Sequence, residues 1–438
     1  MRRLLLIIAL LTLSYAGLFS QSESVVRMKN DVMTLTSDAF LGREIGSDGE
    51  RAAAKEIAKQ FKEAELLLLY SENDGQPFSY IIGDTDTLHS QNVVAIVEGW
   101  DPNLKHEYIV IGAHYDHLGY IIANINSKDS IQVFRGADDN ASGVAVMLEL
   151  ARLAEKRSIN FRRSLIFVAF GGEEVGMSGS WYFTNIGFEQ MDKVVFMINL
   201  DMVGRGADRN SVNAYTITKN SQLVNILRDV SDISMISPNV EERDYFPSDH
   251  RYFSMKGIPT VLFTTGLHND YHSARDTPEK LNFSVMEDIV QYNLLLLETV
   301  ANMDKAPLKT STEDNLVKHE SGVYMQNEVE RRATYRNGDE RSFQEGWVYR
   351  YIKYPNSAVE EGVQGRVVVE FIIEKNGEVS NVNIVNSVDE RLDDEVLKVV
   401  RASPKWKPAT IKGEAVRVKT SIPVEFRLTR DSKIKIKR

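Results

Sequence analysis

Ser164-Leu165-Ile166-Phe167-Val168-Ala169-Phe170, followed by Gly171-Gly172-Glu173-Glu174, is the stretch on which the reading of this chain turns. Such a run has no polar face, so its strand must lie in a sheet covered on both sides. Asn92–Val97, Tyr108–Ile111, Val194–Leu200 and Ile258–Phe263 share that texture, and Gly49–Leu66, Ser142–Ala154 and Phe283–Met303 show helical spacing around them. Strands alternating with helices predict an α/β fold: a three-layer α/β/α domain with a mixed, mostly parallel central sheet.

Chemistry-bearing residues gather just past the ends of these strands. His114 and His117 follow Tyr108–Ile111, Glu173 and Glu174 follow Phe170, and Asp201 follows Leu200. Asp138-Asp139 and Tyr271-His272 sit in further loops, and five of the eight histidines (His114, His117, His250, His268, His272) lie in or near these motifs. Open α/β sheets place ligands at the carboxyl ends of strands, so one shared site is expected. An acidic pair or a loop histidine taken alone is usually ordinary surface. After a buried strand and a Gly-Gly turn, and in this company, the functional reading prevails. Imidazoles and carboxylates suffice for two bridged divalent metals with one carboxylate left as a base, the inventory of a metal-assisted hydrolase.

The length suggests two domains or three, with enough apolar residues for a sizeable core. There are 438 residues, 43% hydrophobic and 26% charged, with a net charge of -10 that disfavours nucleic acid as a partner. From Arg341 onward the balance reverses, with 19 Lys and Arg against 14 Asp and Glu. Residues 1–20 read as a cleaved signal peptide: Arg2 and Arg3, an apolar Leu4–Leu13, then small residues at Ala16 or Ser20. The apolar run falls short of the ~20 residues a membrane span needs, so a periplasmic or secreted protein is expected. With no cysteine, stability must come from packing and bound metal.

Residues 305–340 are polar and read as a linker between a catalytic domain over 21–304 and a second domain over 341–438. In the latter, Arg366–Glu374 alternates, Asn376-Gly377 suits a hairpin turn, Leu392–Val400 is amphipathic, and Val416–Leu428 alternates again. That order predicts a small α+β domain of β-β-α-β type.

These motifs, with Phe40-Leu41-Gly42-Arg43-Glu44-Ile45-Gly46-Ser47 and Gln91-Asn92-Val93, resemble the co-catalytic zinc aminopeptidases of metallopeptidase family 28 over Asp31–Met303. The resemblance implies that Asp139, followed by a cis peptide, bridges two zinc ions. His272 and Glu174 would complete one metal, His114 and Asp201 the other. Glu173 would be the general base toward a metal-bridged water, releasing N-terminal residues from peptides with a free amino terminus. Asp116 and Asp276 are candidates to accept the remaining N–H of His114 and His272. Tyr271, Tyr245, Asp249 and His250 are candidates for contact with the substrate or the tetrahedral intermediate. Zinc suits these ligands best, and manganese or cobalt also fit them. The rival readings are a glutaminyl cyclase-like acyltransferase with a single zinc and a non-catalytic periplasmic binding or scaffold protein.

Tyr354-Pro355, Gly365-Arg366-Val367, Asn376-Gly377, Leu392-Asp393-Asp394-Glu395, Pro404-Lys405-Trp406-Lys407-Pro408 and Pro423-Val424-Glu425-Phe426 resemble the C-terminal domain of TonB. That resemblance implies a periplasmic or outer-membrane protein partner. Removing Arg341–Arg438 is expected to leave activity on small substrates largely intact.

Overall fold

The computed structural model describes residues 22–427, apart from 71, 73, 83–85, 126–127, 217–219, 244, 310–321, 327–328, 330, 337, 339 and 412. The expected signal segment lies outside the described residues. Among those described, no helix is long and apolar enough to cross a membrane.

The first sheet holds β1 (Leu67–Leu68), β2 (Gln76–Ile82), β3 (Asp86–Val97), β4 (Tyr108–His114), β7 (Ser164–Phe170), β8 (Val194–Leu200), β9 (Asn213–Tyr215), β10 (Asn239–Glu241) and β11 (Thr260–Thr264). Their order is β1-β3-β7-β4-β8-β11-β9-β10, with β2 paired to β3. The four central strands β7, β4, β8 and β11 are parallel, while β3 and β9 join them antiparallel. The sheet is therefore mixed and parallel at its centre, as expected. β5 (Tyr120–Ile125) and β6 (Lys128–Val133) form a separate hairpin.

The apolar run of β7 explains its position. Leu165, Phe167 and Ala169 point into one core, Ile166, Val168 and Phe170 into another, and all are fully buried. Side chains alternate along a strand, so a run with no polar position requires both layers. One layer consists of α1 (Glu23–Leu35), α2 (Asp48–Glu63), α3 (Gly143–Lys156), α4 (Ser221–Ser231) and α5 (Phe283–Asn302). The opposite face is covered by short segments around Phe183, Phe188 and Phe253, whose rings pack within 6.2 Å of one another or of Phe170. Helix starts follow local chemistry: Ser47 accepts the N–H of Glu50, and Asn282 that of Val285.

The C-terminal sheet runs β12 (Val323–Met325), β16 (Glu414–Phe426), β13 (Gly365–Ile373), β14 (Val379–Asn386), with β15 (Ala409–Ile411) beside β16. Helix α6 (Glu390–Arg401) buries Leu392, Val396, Val399 and Val400 in a core shared with Val367, Val369, Phe371 and Trp406. The β-β-α-β order is present. The stretch expected as a linker also contributes to this unit, because β12 pairs with β16 and Ala333 and Tyr335 lie in its core.

Candidate metal centre

The site lies where β4, β7, β8 and β11 end. His114 is the last residue of β4 and is buried. Its Nε2 is 3.2 Å from Asp139 Oδ1 and 3.5 Å from Asp201 Oδ1. Asp201 follows β8, its N–H bonds the carbonyl of Phe263 at the end of β11, and its Oδ2 accepts Ser248 Oγ at 2.6 Å. Asn199 also donates to that hydroxyl, so strand and loop fix the carboxylate together.

A second group meets the first at Asp139. His272 Nε2 stands 2.9 Å from Asp139 Oδ2 and 3.2 Å from Glu174 Oε1. His117 Nδ1 lies 2.9 Å from the same Glu174 oxygen. The potential ligand atoms of His117, Asp139, Glu174 and His272 all fall within 4.8 Å of one another, as do those of His114, Asp139 and Asp201. All five expected ligand residues are thus brought together, with Asp139 common to both groups. His117 is an addition, signalled in the sequence only by its place three residues after His114.

The loop bearing Asp139 is tightly held. The Asp139-Asn140 peptide is cis. Asn140 donates to the Leu200 carbonyl and accepts the N–H groups of Gly143 and Met202, which ties the start of α3 to the end of β8. Arg43, fully buried, donates to the carbonyls of Leu35, Tyr115, Arg135 and Gly136. It joins the segment after β4 to the one before Asp138. Its sequence neighbourhood resembled the family, but nothing there revealed this role.

Asp116 Oδ1 lies 3.7 Å from His114 Nδ1, the partner expected of it, whereas His272 Nδ1 has no hydrogen-bond partner among the described residues and Asp276 serves the backbone. The main-chain carbonyl of Asp116 lies 3.2 Å from His114 Nδ1, while its carboxylate accepts the N–H groups of Glu173 and Glu174 at 3.0 and 3.2 Å. Asp276 Oδ2 accepts the N–H groups of Asp138 and Asp139 at 2.8 and 3.0 Å. Both carboxylates orient the backbone of the site loops, where free amides would otherwise be buried unpaired. Asp138 likewise accepts the N–H of Gly204 and faces His268 Nε2 at 3.1 Å.

Burial raises the carboxyl of Glu173 well above the usual range, and the negative neighbours Glu174, Asp201 and Asp249 add to this against the pull of His114. Burial likewise pushes Asp249 up to about 7. His250 is fully buried beside it. Tyr271 stacks on His272 at 3.6 Å, whereas Tyr245 stacks on Tyr215 at 4.5 Å.

The donor set fits divalent metal. Asp139, Glu174 and Asp201 crowd their carboxylates in a buried space, an arrangement that needs positive charge among them. His117 Nε2 is buried without a hydrogen-bond partner among the described residues. Mixed imidazole and carboxylate donors are those zinc takes.

Glu174 has a further neighbour from the other unit: Arg366 Nη1 lies 3.2 Å from its Oε2. A cleft of about 930 Å³ runs between the two units here, lined by Phe78, Tyr80, Trp181 and Tyr252 on one side and by Tyr349 and Arg366 on the other.

Comparison with known proteins agrees with this geometry. Residues 92–297 match the model of peptidase family M28, and residues 350–428 match the C-terminal domain of the Gram-negative bacterial TonB protein. An aminopeptidase of Bacillus subtilis, YwaD, is 30% identical over 204 residues, covering 44% of this chain and 41% of the relative. A probable leucine aminopeptidase of Trichophyton verrucosum is 30% identical over 206 residues, covering 44% of this chain and 53% of the relative. The chain thus spans about half the length of these relatives. Among solved structures, LapB of Legionella pneumophila superposes with a TM-score of 0.51 at 22% identity, over 64% of this chain and 72% of that one. A glutaminyl cyclase of Porphyromonas gingivalis gives 0.51 at 20% identity, over 63% and 98%. At these identities the two structures speak for the fold.

Proposed function

Because the chain carries an M28 peptidase domain followed by a TonB-type C-terminal domain, we propose that it is an exported di-zinc aminopeptidase acting on peptides with a free amino terminus. The observation that carries this reading is the sharing of Asp139 between two ligand groups, one with His114 and Asp201, the other with Glu174, His272 and His117. A shared carboxylate lets two cations lie ~3.5–4 Å apart. A cyclase working with one zinc would not need it, so the arrangement favours peptide hydrolysis.

When bound, the metals would lower the pKa of water and polarise the scissile carbonyl. The chain's own contribution is proton handling and placement. Glu173 is fixed through its backbone by Asp116 and has a carboxyl raised by burial, which suits a group that takes a proton and returns it to the leaving amine. Tyr271, stacked on His272, and Asp249, within electrostatic reach of His114 and Asp201, are the candidates for substrate contact, with His250 next to Asp249 in sequence. Tyr245, stacked on Tyr215, is a weaker candidate, because that ring is its contact.

The TonB-type domain supports placement in a Gram-negative envelope, periplasmic or secreted, with a protein partner in the periplasm or outer membrane. The test of activity is zinc-dependent release of amino acids from free and N-blocked peptides, with Glu173→Gln as control. Release from free peptides alone is expected, with kcat reduced about 10²–10⁴-fold in the variant while both zinc equivalents remain. Failure of zinc-loaded wild type on either set would refute the reading, and loss of metal in the variant would make Glu173 a ligand.

A further inference from the structure

Arg366 is the second residue of β13 and stands opposite Glu425 on β16. Its Nε bonds Glu425, and its Nη1 crosses to the peptidase domain, 3.2 Å from Glu174 Oε2. The two oxygens of Glu174 are thereby divided. Oε1 faces His117 and His272, and Oε2 faces the guanidinium. The side chain of Arg366 is only 13% exposed, so its position is fixed by these partners. A second contact joins the units nearby, with the Arg427 guanidinium 5.5 Å from the Phe134 ring centroid.

We propose that the C-terminal domain is a working part of the peptidase centre, with Arg366 as the positioning residue for Glu174. A carboxylate that binds metal through one oxygen is free to rotate unless the other is held. Such outer partners typically set metal affinity by 10–100-fold. The planar guanidinium suits the task because one N–H can hold Glu425 while another holds Glu174. Repulsion between guanidinium and metal acts in the opposite direction. Glu425 offsets that charge, so orientation dominates. The inference rests on the reading of Glu174 as a ligand, and it replaces the expectation that the two domains are functionally separable.

The experiment compares full-length wild type, Arg366→Ala and Arg366→Lys by zinc retained against graded chelator and by kcat and KM on a free tripeptide. Arg417→Ala, on β16 and paired with Glu374, controls for loss of any arginine from this sheet. Arg366→Ala should hold one zinc equivalent as tightly as wild type and the other about 10–100-fold more weakly, with lower kcat at subsaturating zinc. Arg366→Lys should recover part of both effects. Thermal unfolding monitors whether each variant is folded. Wild-type-like retention of both equivalents by a folded Arg366→Ala, or tighter retention of the second, would overturn the proposal. Wild type holding fewer than two equivalents would instead overturn the di-zinc reading on which it rests.

Discussion

The two halves of the candidate metal centre are built differently. His114 and Asp201 stand at the ends of β4 and β8, adjacent parallel strands, so sheet register places them. Glu174 lies in a short 3₁₀ turn and His272 and His117 in loops; the Asp116 carboxylate holds the Glu173-Glu174 backbone, Arg366 from another domain holds Glu174, and the Arg43 carbonyl accepts the His117 N–H. Asp139 belongs to both. A site can therefore be rigid on one side through its scaffold and depend on its surroundings on the other.

The sharpest way to break that comparison is to remove what the halves share. Asp139→Ala is expected to abolish detectable peptidase activity and to lose both zinc equivalents on dialysis, because each group loses a carboxylate at once. Metal analysis decides the matter: one equivalent retained with wild-type affinity would mean that Asp139 serves a single metal.

Smaller effects should separate the halves. Ser248→Ala removes the 2.6 Å hydrogen bond to Asp201 and should weaken only the zinc held by His114 and Asp201, by about 10-fold. His117→Ala should weaken only the other zinc, to a similar extent. Site-resolved calorimetric titration checks both. Equal loss from both sites in either variant would show that the halves are not independently held.

The same division explains what was legible in the sequence. β7 and β8 were read to the residue because a nearly continuous apolar run with no polar face admits one environment. The residues following such strands were then placed at the sheet's carboxyl edge, which brought His114, Glu173 and Asp201 into view. Asp116 and Asp276 were found by spacing, but their hold on the backbone N–H groups of the site loops was not, since spacing within a loop does not fix every partner of a side chain. β12 passed unnoticed inside a polar stretch because three residues take their register from β16, with too little pattern of their own. Arg366 lies 192 positions from Glu174, and only tertiary structure relates them.

The last expected effect, on stability rather than on metal affinity, concerns the support beneath the Glu173-Glu174 turn. Glu50 is buried, accepts Ser90 Oγ and the Gly46 N–H, and lies where any side chain at Gly171 would meet its Oε1. Burial, reinforced by Asp116, pushes its carboxyl up from 4.5 to about 8 against the pull of those donors. The folded state therefore binds this proton more tightly than the unfolded chain. The resulting stabilisation is full below pH ~4.5 and is lost as pH rises toward ~8, with a slope of at most about 1.4 kcal/mol per pH unit. Urea unfolding of metal-free protein between pH 5 and 8 should show wild type losing stability with rising pH, and Glu50→Gln a flatter dependence. Parallel pH profiles for the two proteins would mean that Glu50 is ionised in the fold and that the turn stands on a charge. The loop-built half would then depend on electrostatics at one more point than the strand-built half.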